Sequence, residues 1–159
     1  MNNLRIIFVQ HCPFYGGSSI SGLRTIKALV ENGTHVTTIF ASEGPMLEHY
    51  HKSGSQTLVL NHKSFLTNSS LIGTCKNFVH QSISAKQFKR VFKLNLPHLV
   101  YINSLVSYSA AAASYHCRIP CIWHIRELFE DAGGEMKIPH LIGKPLIQNQ
   151  INKFASKII

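Results

Sequence analysis

The chain has 159 residues, enough for one domain that buries roughly two thirds of the surface its unfolded form would expose. Sixteen Lys and Arg against seven Asp and Glu give a formal charge of +9 with the ten histidines neutral, which favours anionic partners such as nucleotide phosphates, acidic lipids or nucleic acid. There is no zinc-finger spacing, RNP-like aromatic segment or long Lys/Arg block, so no nucleic-acid partner is expected.

Only 14% of residues are charged, below the usual quarter, as expected where a further domain, a partner or a membrane covers some of the surface. Cys12, Cys75, Cys117 and Cys121 fit neither a CxxC redox pair nor a zinc knuckle and read as free thiols in a reducing compartment. The apolar run Ile6 to Val9 is too short for a signal-peptide core, and no run approaches a membrane-spanning length. The expected location is cytoplasmic, with room for a peripheral place at the inner face of the membrane.

Leu4 to Val9 is a short β-branched run that ends in a Pro- and Gly-containing segment, the pattern of a buried parallel strand. Ser18 or Ser19 is expected to cap a helix with Ile20, Leu23, Ile26, Leu29 and Val30 on its core face, stopped by Asn32-Gly33. His35 to Phe40 follows as a second strand, which completes a βαβ unit. A short helix near Pro45 to Lys52, a strand at Gln56 to Leu60 and a polar loop from Asn61 to Ser70 come next.

A long amphipathic helix then places Leu71, Cys75, Phe78, Val79, Ile83, Phe88, Val91 and Phe92 on its predicted core face, with Lys76, Lys86, Lys89, Arg90 and Lys93 largely outside that stripe. Those charges read either as a solvated face or as a weak docking surface for anionic membrane. Pro97 to Ile102 forms a fourth strand, Ser107 to His116 an Ala-rich helix and Ile119 to His124 a fifth strand with its proline at the entrance. Arg126 to Gly143 lacks periodicity, and Gly133-Gly134 marks a loop. Pro145 suits the first turn of a last helix that carries Leu146, Ile147, Ile151 and Phe154. Lys157 to Ile159 begins another strand, from which a domain truncated in its last strand is expected.

The predicted fold class is α/β, a Rossmann-like doubly wound parallel sheet, and such sheets bind ligands beyond the carboxyl ends of their strands. Three segments fall there. In Tyr15-Gly16-Gly17-Ser18-Ser19 the glycines either serve a tight turn or let a phosphate approach the backbone at a helix N-terminus, with neither GxGxxG nor Walker spacing. Asn103-Ser104 either caps the next helix or lines an acceptor cleft. Trp123-His124-Ile125-Arg126-Glu127 gathers an imidazole, a cation and a carboxylate at a strand end, either for chemistry or as a structural His beside an Arg–Glu pair.

Taken in order, the Gly-Gly loop, Tyr101-Ile102-Asn103-Ser104, the run Ile119 to Glu127 and the closing Phe154-Ala155-Ser156-Lys157-Ile158-Ile159 resemble the N-terminal domain of family-4-type GT-B glycosyltransferases. The resemblance spans nearly the whole chain. It implies the N-terminal, acceptor-side half of a GT-B fold that retains anomeric configuration, with no cofactor and no bound metal, a nucleotide-sugar donor as co-substrate and a polysaccharide or lipid-linked glycan as acceptor. By the same resemblance Gly16 and Gly17 approach the donor phosphates and His124 contacts the transferred sugar, while Asn103, Ser104, Arg126 and Glu127 line the cleft. The family's C-terminal donor-binding domain, with its paired glutamates, has no counterpart in these residues, so the chain alone is expected to be inactive.

Two other classes compete. A nucleotide-dependent oxidoreductase domain wants GxGxxG and an acidic residue at the end of the second strand, where this chain has Phe40-Ala41-Ser42. A non-catalytic binding or regulatory module needs neither.

Overall fold

The computed structural model describes residues 4–63, 71–126 and 143–159, the side chains of 71–75 and 143–144 excepted. Six strands form one open, all-parallel sheet in the order β3-β2-β1-β4-β5-β6. They are β1 (Arg5–Gln10), β2 (His35–Phe40), β3 (Gln56–Val59), β4 (Leu99–Ile102), β5 (Cys121–Trp123) and β6 (Lys157–Ile158). Between them run α1 (Gly17–Glu31), α2 (Met46–Lys52), α3 (Leu71–Asn95), α4 (Tyr108–His116) and α5 (Gly143–Phe154). Among the described residues no helix is long and apolar enough to cross a membrane.

The period-two alternation of the strands divides the core between the two faces of the sheet. Phe8, Val36 and Phe40 point to one side and pack with Ile26 of α1 and Met46 and Tyr50 of α2. Ile7, Val9, Ile39, Val100, Ile102, Cys121 and Trp123 point to the other, against Phe88, Phe92, the alanines of α4, and Ile147, Ile151 and Phe154 of α5. Each large side chain buried this way is worth about 1.5–3 kcal/mol. Burial also pushes the Cys121 thiol up to about 11, so it serves as an inert apolar group.

Local signals work as their chemistry requires. Gly33 adopts φ +77° after α1; its N–H donates to the Val30 carbonyl at 2.9 Å and that of Thr34 to Leu29 at 3.0 Å, a Schellman stop. The helix start differs from expectation. Gly16 is its N-cap with no side-chain hydrogen bond, and Ser19 is buried inside the first turn, where its hydroxyl donates to the Cys12 carbonyl at 3.1 Å. Ile20 on the same helix is exposed, as are Phe78, Val79 and Ile83 of α3 and Leu146 of α5.

The α3 difference has a clear cause. Gln81, Ser84, Phe88 and Phe92 are the buried positions, spaced three, four and four apart, which is one continuous stripe on a helix. Gln81 is accepted there because its amide donates to the Lys63 carbonyl at 2.8 Å. Phe78, Val79 and Ile83 lie off that stripe.

His62, two residues beyond Leu60, is also enclosed, with only 2% of its surface exposed. Its Nδ1 contacts the Leu60 carbonyl at 2.8 Å and its Nε2 the Ser107 hydroxyl at 3.1 Å. A carbonyl only accepts, so Nδ1 carries the proton and the hydroxyl donates to Nε2. The ring meets Phe88 edge-on at 5.1 Å and His11 at 5.3 Å. Burial above all, with a smaller push from His11 and against the Leu60 bond, lowers the His62 pKa to about 4. The unfolded chain, with its imidazole near 6.5, therefore binds the extra proton first. The contribution of His62 is complete above pH 6.5 and is lost as the pH falls towards 4. Between pH 7.5 and 5 this predicts a loss of about 2 kcal/mol in urea-unfolding free energy that is missing from a His62→Gln variant. Equal pH slopes in the two proteins would contradict it.

Candidate functional site

Strands are added on one side of β1 up to β3 and on its other side from β4 onward, so the strand order reverses between β1 and β4, and the crevice beyond the carboxyl ends of those two strands is the place where such sheets hold ligands. Gln10 closes β1, Asn103 follows β4 directly, and both are fully buried. Two buried amides require complete pairing. The Asn103 Nδ2 donates to Gln10 Oε1 at 2.6 Å and to the Ser18 carbonyl at 2.9 Å, while its Oδ1 accepts from Arg126 Nε at 2.8 Å. The Gln10 amide donates to Ser19 Oγ at 3.3 Å and, at 3.4 Å, to the Cys12 carbonyl. Asn103 thereby ties the loop after β1 to the segment after β5.

The second half of the crevice is aromatic and cationic. Tyr101 stacks flat on Phe8, with ring centroids 4.8 Å apart, and its hydroxyl reaches His124 Nδ1 at 2.7 Å. Burial raises the Tyr101 pKa, with the Arg126 charge opposing. Arg126 also reaches back across the crevice, its Nη2 donating to Ser21 Oγ at 3.0 Å and lying 3.3 Å from His124 Nδ1. From α2, the Tyr50 hydroxyl donates to the Ser19 carbonyl at 2.8 Å, its pKa driven up by burial.

Of the residues expected from sequence, His124, Asn103 and Arg126 come together in one hydrogen-bonded group. Ser104 caps the 3-10 turn at Leu105–Ser107, its hydroxyl accepting from the Val106 N–H at 3.2 Å. Its carbonyl holds the Trp123 indole at 3.0 Å. Glu127 and Gly133-Gly134 lie outside the described residues.

Gly16 and Gly17 stand at the N-terminus of α1, and a Cβ added to either meets nothing within 4 Å. Neither has a positive φ, so no tight turn demands glycine there, and the space before the backbone is open. A cavity of about 610 Å³ lies elsewhere, among Arg5, His35, Gln56 and Asn95 near the amino ends of the strands. Ligand sites of such sheets do not form at that end.

Gln10, Ser21, Gly22 and Tyr101 also belong to the site. Gly22 is the signal available in the sequence, a glycine inside a helical pattern. A Cβ at this position would stand 2.6 Å from the Tyr50 hydroxyl, 3.0 Å from Gln10 Oε1 and 3.1 Å from Asn103 Nδ2.

No protein-family profile matches the chain, and no curated protein matches it in sequence. Solved structures do match. A glycosyltransferase from Rickettsia africae superposes with a TM-score of 0.68 at 16% identity, over 96% of this chain and 35% of that one. MurG of Acinetobacter baumannii gives 0.67 at 13% identity, over 98% and 40%. HepE of Anabaena, crystallised with UDP and glucose, gives 0.62 at 15%, over 98% and 37%. The fold is that of a Rossmann-like half of a GT-B glycosyltransferase. The chain spans two fifths or less of the length of these three neighbours.

Gly22→Ala is expected to lower the free energy of unfolding by about 1–3 kcal/mol, since the three polar atoms around it belong to buried, hydrogen-bonded groups. Gly17→Ala, which meets open space, is expected to cause no loss. Urea titration of both variants checks the contrast, and equal stabilities would refute the packing argument.

Proposed function

We propose that this chain is the N-terminal, acceptor-side half of a family-4-type retaining glycosyltransferase, which moves a sugar from a nucleotide-sugar to a polysaccharide or lipid-linked glycan. The observation that carries this reading is the crevice at the β1/β4 switch point. There the anchored His124 is linked through Arg126 and Asn103 to the Ser18 carbonyl, which directly follows the open backbone at Gly16 and Gly17. A helix N-terminus with space before it suits a diphosphate, and an imidazole held by two partners suits a sugar hydroxyl. HepE, which shares the fold, was crystallised with UDP and glucose, in support of a nucleotide-sugar as the ligand. In this reading a second domain supplies the opposite wall of the cleft, without which water is not excluded from the reacting atoms. No turnover by the 159 residues alone is expected.

Titration of the ¹⁵N-labelled chain with millimolar UDP-glucose is expected to move the backbone amides of Gly16 to Ser19 and of His124. Gly17→Val fills the open space and is expected to weaken these shifts at least about tenfold in affinity while leaving stability intact. Shifts confined to other surfaces would count against the reading, and preferential binding of a nicotinamide dinucleotide would favour the oxidoreductase alternative.

A membrane-borne acceptor is supported by the outer side of α3. Lys76, Lys86, Arg90 and Lys93 are exposed there together with Val79 and Ile83. No Asp or Glu occurs anywhere from residue 49 to 126. A face of apolar and basic side chains lies flat on an acidic bilayer, each cation contributing about 1 kcal/mol. Lys86→Glu/Arg90→Glu is expected to abolish sedimentation with phosphatidylserine vesicles at low salt. Binding that ignores salt, or that is equal on neutral vesicles, would remove this account.

A further inference from the structure

An arginine N–H only donates. Arg126 Nη2 lies 3.3 Å from His124 Nδ1, so that ring nitrogen holds a lone pair. A hydroxyl either donates or accepts, and at a nitrogen without hydrogen it must donate. The Tyr101 hydroxyl, 2.7 Å from the same Nδ1, therefore turns its hydrogen toward the ring. The raised pKa of Tyr101 keeps that hydrogen in place. The proton of the neutral imidazole is left on Nε2.

The orientation of Arg126 is fixed with equal economy. Its Nε donates to Asn103 Oδ1 at 2.8 Å. The other end of that amide donates to the Ser18 carbonyl at 2.9 Å, a group that only accepts. Both ends of the Asn103 amide are thus determined by partners of one kind, and the amide cannot be flipped without placing like against like. Hydrogen bonds of fixed direction, with Arg126 donating both to Asn103 and to His124, thus link the Ser18 carbonyl, next to Gly16 and Gly17, to the imidazole.

We propose that Tyr101 and Arg126 are positioning residues which hold His124 as its Nε2–H tautomer, and that Asn103 couples this tautomer to the conformation of the glycine loop. The edge of the imidazole away from Tyr101 then gives a hydrogen bond and accepts none. That edge suits an oxygen that accepts, such as a carbonyl, carboxylate or hydroxyl oxygen. A loop displaced by a bound diphosphate would move the Ser18 carbonyl and so reach His124 through two side chains. This inference rests on the glycosyltransferase reading for its purpose, while the tautomer itself depends only on the geometry.

Long-range ¹H–¹⁵N correlation spectra of the imidazoles test it on the chain as it stands, at about pH 8, above the ordinary histidine range. His124→Gln assigns the resonance. The wild-type ring is expected to show a protonated Nε2 and an unprotonated Nδ1, with an excess of at least about tenfold over the other tautomer. Tyr101→Phe, which preserves the stack on Phe8, is expected to reduce that excess about fivefold. Asn103→Ala, which does not touch the ring, is expected to move the same resonance, whereas a residue with a purely structural role would not move it while the fold persists. A dominant Nδ1–H form in the wild type overturns the proposal, as does an unchanged tautomer ratio in folded Tyr101→Phe and Arg126→Lys variants. The spectra contain no nucleotide, so their outcome is independent of the UDP-glucose titration. Its failure would refute the glycosyltransferase reading and leave the tautomer standing.

Discussion

The side chain of Asn103 is the point on which the crevice depends. It leaves β4 fully buried and spends its amide on three different segments, Gln10 at the end of β1, the Ser18 carbonyl of the glycine loop and Arg126 beyond β5. A buried amide with a missing partner costs about 1–3 kcal/mol, so the four groups are held in one arrangement or the site is lost. No apolar residue could do this, because dispersion has no direction and would leave Arg126 unaligned. The hydrophobic layers on either side supply the stability of the sheet. The amide supplies the alignment of what the sheet carries.

The sheet in turn makes the amide possible. Parallel register sets Val9 beside Ile102, which brings Gln10 and Asn103 out together at the same end, and the Asn103 N–H is fixed on the Val9 carbonyl at 3.0 Å. β5 continues the pattern, with the His124 N–H on the Ile102 carbonyl at 2.8 Å. The backbones of Asn103 and His124 are therefore anchored by extensions of the β-ladder. A loop would hold them less firmly. Tyr101 gains its position from the alternation of β4, which turns Val100 and Ile102 to one core and Tyr101 to the other.

Much of this was legible in the sequence because strands and caps are local. The strand limits read from β-branched runs agree with β1 to β6 within two residues, and Asn32-Gly33 stops α1 as its chemistry predicts. The three crevice segments were also legible, since a strand followed by small polar residues marks its own end. What joins them was not. Gln10 reads as the first polar residue after an apolar run, and Tyr101 as one more strand aromatic, until the register places them beside Asn103 and His124. On α3 Phe88, Val91 and Phe92 pack in the core as expected, whereas Phe78, Val79 and Ile83 were misread for a different reason. The apolar residues of α3 occupy more than one side of the helix, so their spacing admits two stripes, and only the packing of Gln81, Ser84, Phe88 and Phe92 selects one. Polar residues in the chosen stripe hid it from a count of hydrophobics.

The N-terminus of α1 completes the physical picture, because it is unusual in what it lacks. Its N-cap is Gly16 with no side-chain hydrogen bond, and there is no acidic residue in the first turn. α2 by contrast places Glu48 in its first turn, where a carboxylate offsets the positive end of the helix dipole. A fifteen-residue helix carries roughly half a positive charge at that end together with backbone N–H groups that point outward. Glycines at 16 and 17 keep the approach to those groups clear. Ser19, which by composition is a good cap, is diverted inward to the Cys12 carbonyl and Gln10 and so leaves the N–H groups of the first turn to another acceptor. Stability alone would favour a serine or aspartate cap, worth about 1 kcal/mol. Among the described residues no side chain caps this helix end, and an anionic oxygen is the group that gains most at such a position.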